Sequence, residues 1–267
     1  MILRGLSVLL VCLWAAAAMA DEMKLAVTTS FHNSGLSDVL LPAIKDDLGL
    51  DVHLLVVGTG QALRLGQAGD VDAILVHSKP AEEAFVADGF GTRRTEVMYN
   101  DFVVVGPAGD PASIARLDGA VDALRAIESS GVLFVSRGDD SGTHKKEQTL
   151  WAAAGLDAET FEATWYRSVG AGMGAALNAA SGMNAYVLSD RASWLTFGNK
   201  GDLALLYAGD PVLFNQYAYL PVNAAMHSHV NTVSAMQLEN WLVSDRAKAL
   251  INGYQLNGET LFTFNAQ

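Results

Sequence analysis

Gly131-Val-Leu-Phe-Val-Ser-Arg-Gly-Asp-Asp-Ser-Gly-Thr-His-Lys-Lys146 passes from an apolar run, through a small hydroxyl-rich turn, into a helix-like sequence. Leu133, Phe134 and Val135 read as a buried strand; Thr143 to Ala154 lacks Pro and Gly and reads as a helix. The turn between them therefore sits at a helix N-terminus, where backbone N–H groups have no partner within the helix and point outward. Ser136, Ser141 and Thr143 add hydroxyls, and Arg137 adds five donors in a planar fork. Two readings are open on this segment alone: a cradle for an oxyanion, or an ordinary strand-to-helix turn with a hydroxyl cap.

The same order recurs upstream. Met23 to Ser30 reads as a strand ending in Thr28, Thr29 and Ser30; a polar loop follows, and then a helical stretch from Ser37 to Leu48. Asp51 to Val57 reads as a second strand running into Gly58-Thr-Gly-Gln-Ala62, with Thr59 and Gln61 as a further polar cluster before a helix over Ala62 to Ala68. Asp72 to Val76 and Ala81 to Asp88 give one more strand and helix. Repeated strand, loop and helix specify an α/β fold, and ligands in such folds lie outside the carboxyl ends of the strands, where these hydroxyls fall.

The run Tyr99 to Val105 ends in Gly106-Pro107 and a polar stretch, which marks a first crossing between two lobes near 101 to 106; a return is expected near 212 to 217. Helical sequence from Ile114 to Ser129 precedes the cradle segment. Gly170-Ala-Gly-Met-Gly174 opens another helix and borders the expected cleft, or is a flexible loop before a packed helix; Met173 and Met183 read as core filler. The strand Ala185 to Leu188, the strand Tyr217 to Val222, the helix Thr232 to Ser244 and a short element over Leu250 to Phe264 complete the chain. The expected division is residues 21–101 and 216–267 in lobe 1 and residues 102–215 in lobe 2.

The amino end speaks to compartment. Arg4, an apolar stretch from Leu6 to Ala18, and Ala18-Met-Ala20 before Asp21 fit a signal peptide over residues 1–20. The lone cysteine, Cys12, lies inside that leader, so the mature chain is expected to have no disulfide, no cysteine metal site and no lipid-bearing cysteine at the cleavage point. A freely diffusing periplasmic protein is expected. The 267-residue chain carries a formal charge of −12 and no basic run, which excludes a nucleic-acid partner. It does not exclude a small anion, because a fixed Arg and oriented N–H groups act over a few ångströms while distant carboxylates are screened.

Several motifs together give the chain a family likeness: Thr28-Thr-Ser30, Gly58-Thr-Gly-Gln-Ala62, Asp72-Ala73, Val76-His77, Tyr99-Asn-Asp-Phe102, Ser136-Arg-Gly-Asp-Asp-Ser-Gly-Thr-His144 and Asn215-Gln-Tyr217. In these it resembles the periplasmic tungstate-binding proteins of ABC uptake systems. The resemblance implies a type II periplasmic binding protein fold, two α/β lobes with a hinged interlobe cleft that closes on the ligand. It also implies delivery to an ABC permease in the inner membrane, driven by a cytoplasmic ATPase. It assigns ligand binding to Thr29, Ser30, Thr59, Arg137, Ser141, Gly142 and Thr143. The resulting expectation is a monomeric receptor for tungstate, or alternatively for molybdate, sulfate or phosphate, that needs no cofactor and no metal.

Enzymatic readings have less behind them. Ser141 lacks a Gly-x-Ser-x-Gly context, and His144 has no evident carboxylate to orient it as the base of a serine hydrolase. Asp139 and Asp140 read as helix-capping or solvent-facing carboxylates, with Asp139 also placed to orient Arg137. His227-Ser-His229 could chelate zinc only with a third ligand that the sequence does not offer, so it reads as surface.

Overall fold

The computed structural model describes residues 21–266, so the leader read over Met1 to Ala20, with Cys12, lies outside the described residues. In chain order the first elements are β1 (Asp21–Thr28), α1 (Thr29–Asn33), α2 (Leu36–Leu48), β2 (Leu50–Val57), α3 (Thr59–Ala68), β3 (Ala73–Val76), α4 (Lys79–Ala87) and the long β4 (Thr95–Pro107). Then come α5 (Ala120–Ser130), β5 (Phe134–Ser136), α6 (Gly142–Ala153), β6 (Tyr166–Ser168), α7 (Met173–Met183), β7 (Tyr186–Asp190), α8 (Arg191–Thr196) and β8 (Leu203–Tyr207). The chain closes with β9 (Phe214–Pro221), α9 (Thr232–Leu242), α10 (Asp245–Gly253) and the short β10 (Gln255–Leu256), β11 (Glu259–Thr260) and β12 (Thr263–Phe264).

The expected mixed α/β architecture is present. The strands run in the order β2-β1-β3-β9-β4-β7-β5-β6. β1 is parallel to β2 and β3, and β5 is parallel to β6 and β7; each set is joined to the rest through antiparallel pairs with β9 and β4. β4 belongs to both halves: Thr95 to Asp101 pair with β9, and Phe102 to Val105 pair with β7. The change of partner thus falls inside a continuous strand, between Asp101 and Phe102, within the stretch near 101 to 106 where the crossing was expected.

Both faces of each half-sheet are covered, and the strands show it by alternation. In β3, Ala73 and Leu75 join the core under α2, α9 and α10, while Ile74 and Val76 join the core under α3 and α4. In β4, Phe102 and Val104 pack with α5 and α6, and Val103 and Val105 with α7 and α8. A strand buried on both faces is apolar at every position, the pattern of a sheet with helices on both sides. The second half holds an aromatic cluster in which Trp151 meets Phe134, Phe161 and Trp165 edge-on.

Boundaries differ from the sequence reading where polar residues take backbone roles. β1 stops at Thr28, whose hydroxyl accepts the Phe31 N–H and so caps α1; Thr29 and Ser30 therefore open a helix instead of ending the strand. α6 begins at Gly142, capped by Ser141, and α3 begins at Thr59, which puts Gln61 inside the helix. β9 starts at Phe214, setting Asn215 opposite Asn100 at the crossing. α10, read only as part of a short terminal element, begins at Asp245 because Ser244 caps it through the Ala247 N–H. Met173 is core as expected, but Met183 ends α7 in solvent, 36% exposed.

Candidate functional site

Three strand ends meet helix starts with almost no intervening loop, so their first-turn N–H groups converge: β1 into α1, β2 into α3, and β5 through a short turn into α6. At their meeting point lies a buried cavity of about 10 Å³, lined by Thr28, Thr29, Ser30, Gly58, Thr59 and His77 from the first half and by Arg137, Ser141, Gly142 and Thr143 from the second. All seven residues assigned from the sequence therefore face one space. None of the lining side chains is a carboxylate.

Among the described residues Arg137 is the only cation lining the cavity, and it is 6% exposed. Its Nη2 donates to Asp139 Oδ2 at 2.6 Å and its Nε to the Ala171 carbonyl at 3.4 Å, which leaves Nη1 for the cavity. Asp139 also accepts the Ser141 N–H through Oδ1 at 3.2 Å, so one carboxylate aims the fork and fixes the start of α6. That is the orienting role the sequence suggested. Ala171 shows why the glycine-rich loop matters: it supports Arg137 with a backbone carbonyl rather than lining the site.

The hydroxyls divide into free and committed. Thr59 Oγ1 lines the cavity and is buried with no hydrogen-bond partner among the described residues, so both its proton and its lone pairs are uncommitted. Ser141 Oγ accepts the His144 N–H at 3.1 Å and keeps its own proton to donate. Ser30 Oγ is surrounded by Thr28 Oγ1 at 3.0 Å, Tyr217 OH at 3.1 Å and His77 Nε2 at 3.2 Å, so this residue offers the cavity its N–H rather than its hydroxyl. Ser136 turns away entirely: its hydroxyl donates to the buried Glu147 at 2.8 Å. Gln61 also turns away, accepting from Arg64 at the surface.

His77 is the residue that sequence reasoning missed, although its strand-end position after the apolar β3 was the signal used for the other three segments. Burial, more than the neighbouring Arg137 charge, pulls its pKa down from 6.5 to about 4, so the ring is neutral at physiological pH. Its Nδ1 is buried without a partner among the described residues. Because the folded protein resists protonating this ring, the unfolded chain binds more protons between about pH 4 and 6.5. The stability His77 contributes is therefore complete above that window and lost as pH falls through it. Relative to His77→Gln, the parent is expected to lose about 1–2 kcal/mol between pH 6.5 and 5, read as a difference in urea midpoints; a difference independent of pH would show the ring is not held neutral.

No hydrolytic arrangement surrounds Ser141. The His144 ring contacts the Asp139 carbonyl through Nδ1 and Gln148 through Nε2, so no base is directed at the serine hydroxyl. His227 and His229 each bond a backbone carbonyl, of Gln67 and Gly69, and no metal-binding cluster occurs among the described residues.

The two halves touch around the cavity. The Gly60 N–H donates to the Asp140 carbonyl at 3.4 Å, and Arg64 Nη1 reaches Asp140 Oδ2 at 3.1 Å. At the crossing, Arg191 grips Asp101 through Nε at 2.7 Å and Nη2 at 2.5 Å. The Arg64 pair is exposed and contributes little by itself to holding the halves together.

Residues 15–246 match the PBP superfamily domain. The chain is 45% identical over 91% of its length to a tungstate-binding protein, TupA, of Peptoclostridium acidaminophilum, of which it covers 85%. Among solved structures it is similar to the tungstate-binding protein TupA of Desulfovibrio alaskensis G20, with a TM-score of 0.82 and 41% identity, covering 93% of this chain and 100% of that one. It is also similar to the tungstate ABC transporter structure from Geobacter sulfurreducens, with a TM-score of 0.80 and 44% identity over 87% of this chain and 98% of that one.

Proposed function

This chain belongs to the PBP superfamily, within the family of tungstate-binding proteins, and we propose that it is the solute receptor of an ABC uptake system with tungstate as its ligand. It is a binding protein, not an enzyme. The observation that carries the reading is a buried cavity between two halves that supplies hydrogen-bond donors from both sides and no carboxylate. A fully deprotonated tetrahedral dianion presents only acceptors, and a closed site lined by donors matches it from several directions. Arg137 supplies the charge. Thr59, Ser141 and Thr143 supply hydroxyls, and the N–H groups of Thr29, Ser30, Gly142 and Thr143 complete the shell, so no metal and no cofactor is needed.

The same donor excess bears on selectivity. Hydrogen phosphate carries an O–H that needs an acceptor, and the uncommitted groups on the wall that could accept it are a ring nitrogen of His77 and the Thr59 hydroxyl. Pairing the phosphate proton there takes that group away from the anion's other oxygens, a cost that tungstate, molybdate and sulfate do not incur. Titration calorimetry of the purified protein should show tight tungstate binding, molybdate close to it, sulfate weaker and phosphate weakest. No heat with tungstate or molybdate, or phosphate as the tightest ligand, would overturn the assignment.

The remaining parts of the reading concern setting. Residues 21–101 and 216–267 form lobe 1 and residues 102–215 lobe 2, a division supported by the change of strand partner between Asp101 and Phe102. The leader over residues 1–20 exports the chain, which works in the periplasm as a monomer and hands the anion to an inner-membrane permease. No helix among the described residues is long and apolar enough to cross a membrane.

A further inference from the structure

Beside the oxyanion cavity, and sharing His77 and Gly142 with it, lies a cleft of about 610 Å³ between the start of α4 and α6. Its lining includes Lys79, Lys145 and Lys146 and no carboxylate, in a chain with 29 acidic and 17 basic residues. Two of these lysines are partnered: Lys79 stands 3.8 Å from Glu83, and Lys145 is bonded to Asp140. Lys146 forms no ion pair among the described residues, and burial lowers its pKa, with Asp210 as the carboxylate that acts on it in the other direction. His77, from the first half, and Gly142, from the second, line both cleft and cavity, so moving the halves apart would part the wall between them.

We propose that this cleft is the entrance to the oxyanion site and that Lys146 is the capture residue, drawing the dianion in before the halves close. The inference rests on the oxyanion-receptor reading and adds a route and a residue to it. A net-negative protein repels a dianion on approach, but beyond about 8 Å that field is screened at physiological salt. Within a cleft, low-dielectric walls focus the field of a cation, so an unpaired lysine there acts on the encounter. Lys146 does not line the cavity, so it is a positioning residue for the approach and leaves the bound state alone.

The test is stopped-flow tungstate binding, followed by intrinsic fluorescence, at several sodium chloride concentrations. The variants are Lys146→Gln, Lys146→Arg, and Lys248→Gln as a control of equal charge change on exposed α10. Expected at low salt is an association rate about threefold or more lower in Lys146→Gln, with a flatter salt dependence and a dissociation rate within twofold of the parent. Lys146→Arg should keep the parental rate, which also shows that the position tolerates substitution. An association rate in Lys146→Gln equal to that of Lys248→Gln, or an effect confined to dissociation, overturns the entrance role while leaving the receptor reading intact. A parent protein that does not bind tungstate sinks both.

Discussion

Replacing Arg137 by alanine should weaken tungstate binding at least about a hundredfold, close to 3 kcal/mol, while the protein remains folded. A charge-assisted hydrogen bond is worth roughly 1.5–3 kcal/mol, and here it forms among buried residues. The loss is compounded by what stays behind. Asp139, now bonded to Arg137 Nη2, would face an incoming dianion without its counter-charge. Burial raises the pKa of Asp190 while hydrogen bonds from Ser193 and, after them, the Arg137 charge lower it, so removing the guanidinium favours the neutral carboxyl and offsets a little of that repulsion. Arg137→Lys should fall between parent and alanine, since an ammonium keeps the charge but not the fork that reaches Asp139, Ala171 and the ligand together. Calorimetry gives the affinities, and circular dichroism with a thermal melt checks the fold. A dissociation constant for Arg137→Ala within threefold of the parent, with an unchanged melt, would remove Arg137 from the site.

That Arg137 was legible in the sequence, while His77 was not, has a physical reason. Arg137 lies in a turn with several small polar residues before a helix, and local order alone makes such a turn an N-terminal donor cluster. The same logic found Thr29, Ser30 and Thr59. It could not say which atoms would be free, because that depends on partners distant in the chain: Tyr217 lies 187 positions from Ser30, yet their hydroxyls are 3.1 Å apart. Ser136 shows the opposite error. It sits within the motif, but its hydroxyl donates to the buried Glu147 on α6 instead of facing the cavity. In the sequence His77 stands only within the Val76-His77 motif, with no binding role given to it, and only the pairing of β3 with β1 and β9 brings it beside Ser30 and Tyr217.

The fold was readable for a similar reason and to a similar depth. Apolar runs bounded by polar turns marked the strands and helices, since strands covered on both faces carry no polar alternation to confuse them. The crossing was readable as a stretch near 101 to 106, and its point of change at Asp101 and Phe102 follows because β4 is long enough to serve two half-sheets, with Phe102, Val103, Val104 and Val105 continuing the strand into the second. A hinge carried by continuous strands, with Arg191 clamped onto Asp101 next to it, ties bending to the donors on either side. The donors of neither half complete the shell alone, so ligand binding and closure share one free energy.

Gly142 is where that coupling can be cut with one methyl group. A Cβ built on Gly142 would stand 2.5 Å from His77 Cε1, 2.7 Å from His77 Nδ1 and 3.1 Å from Thr59 Oγ1, all of them on the opposite half. Within its own half the position is the first residue of α6, where alanine is well tolerated and removes glycine's extra chain entropy, worth about 0.5–1 kcal/mol. Gly142→Ala should therefore unfold at an equal or higher urea concentration than the parent, yet lose tungstate affinity by at least about a hundredfold, or about 3 kcal/mol, because the closed arrangement of donors cannot form. Small-angle scattering supplies the second reading: tungstate should contract the parent and leave the variant's radius of gyration unchanged. Adding His77→Ala to Gly142→Ala makes room for the methyl group and should restore contraction. If Gly142→Ala binds like the parent, the halves do not need this contact to close; if the double variant still fails to contract, the methyl group acts by masking the Gly142 N–H from the anion and not as a wedge between the lobes.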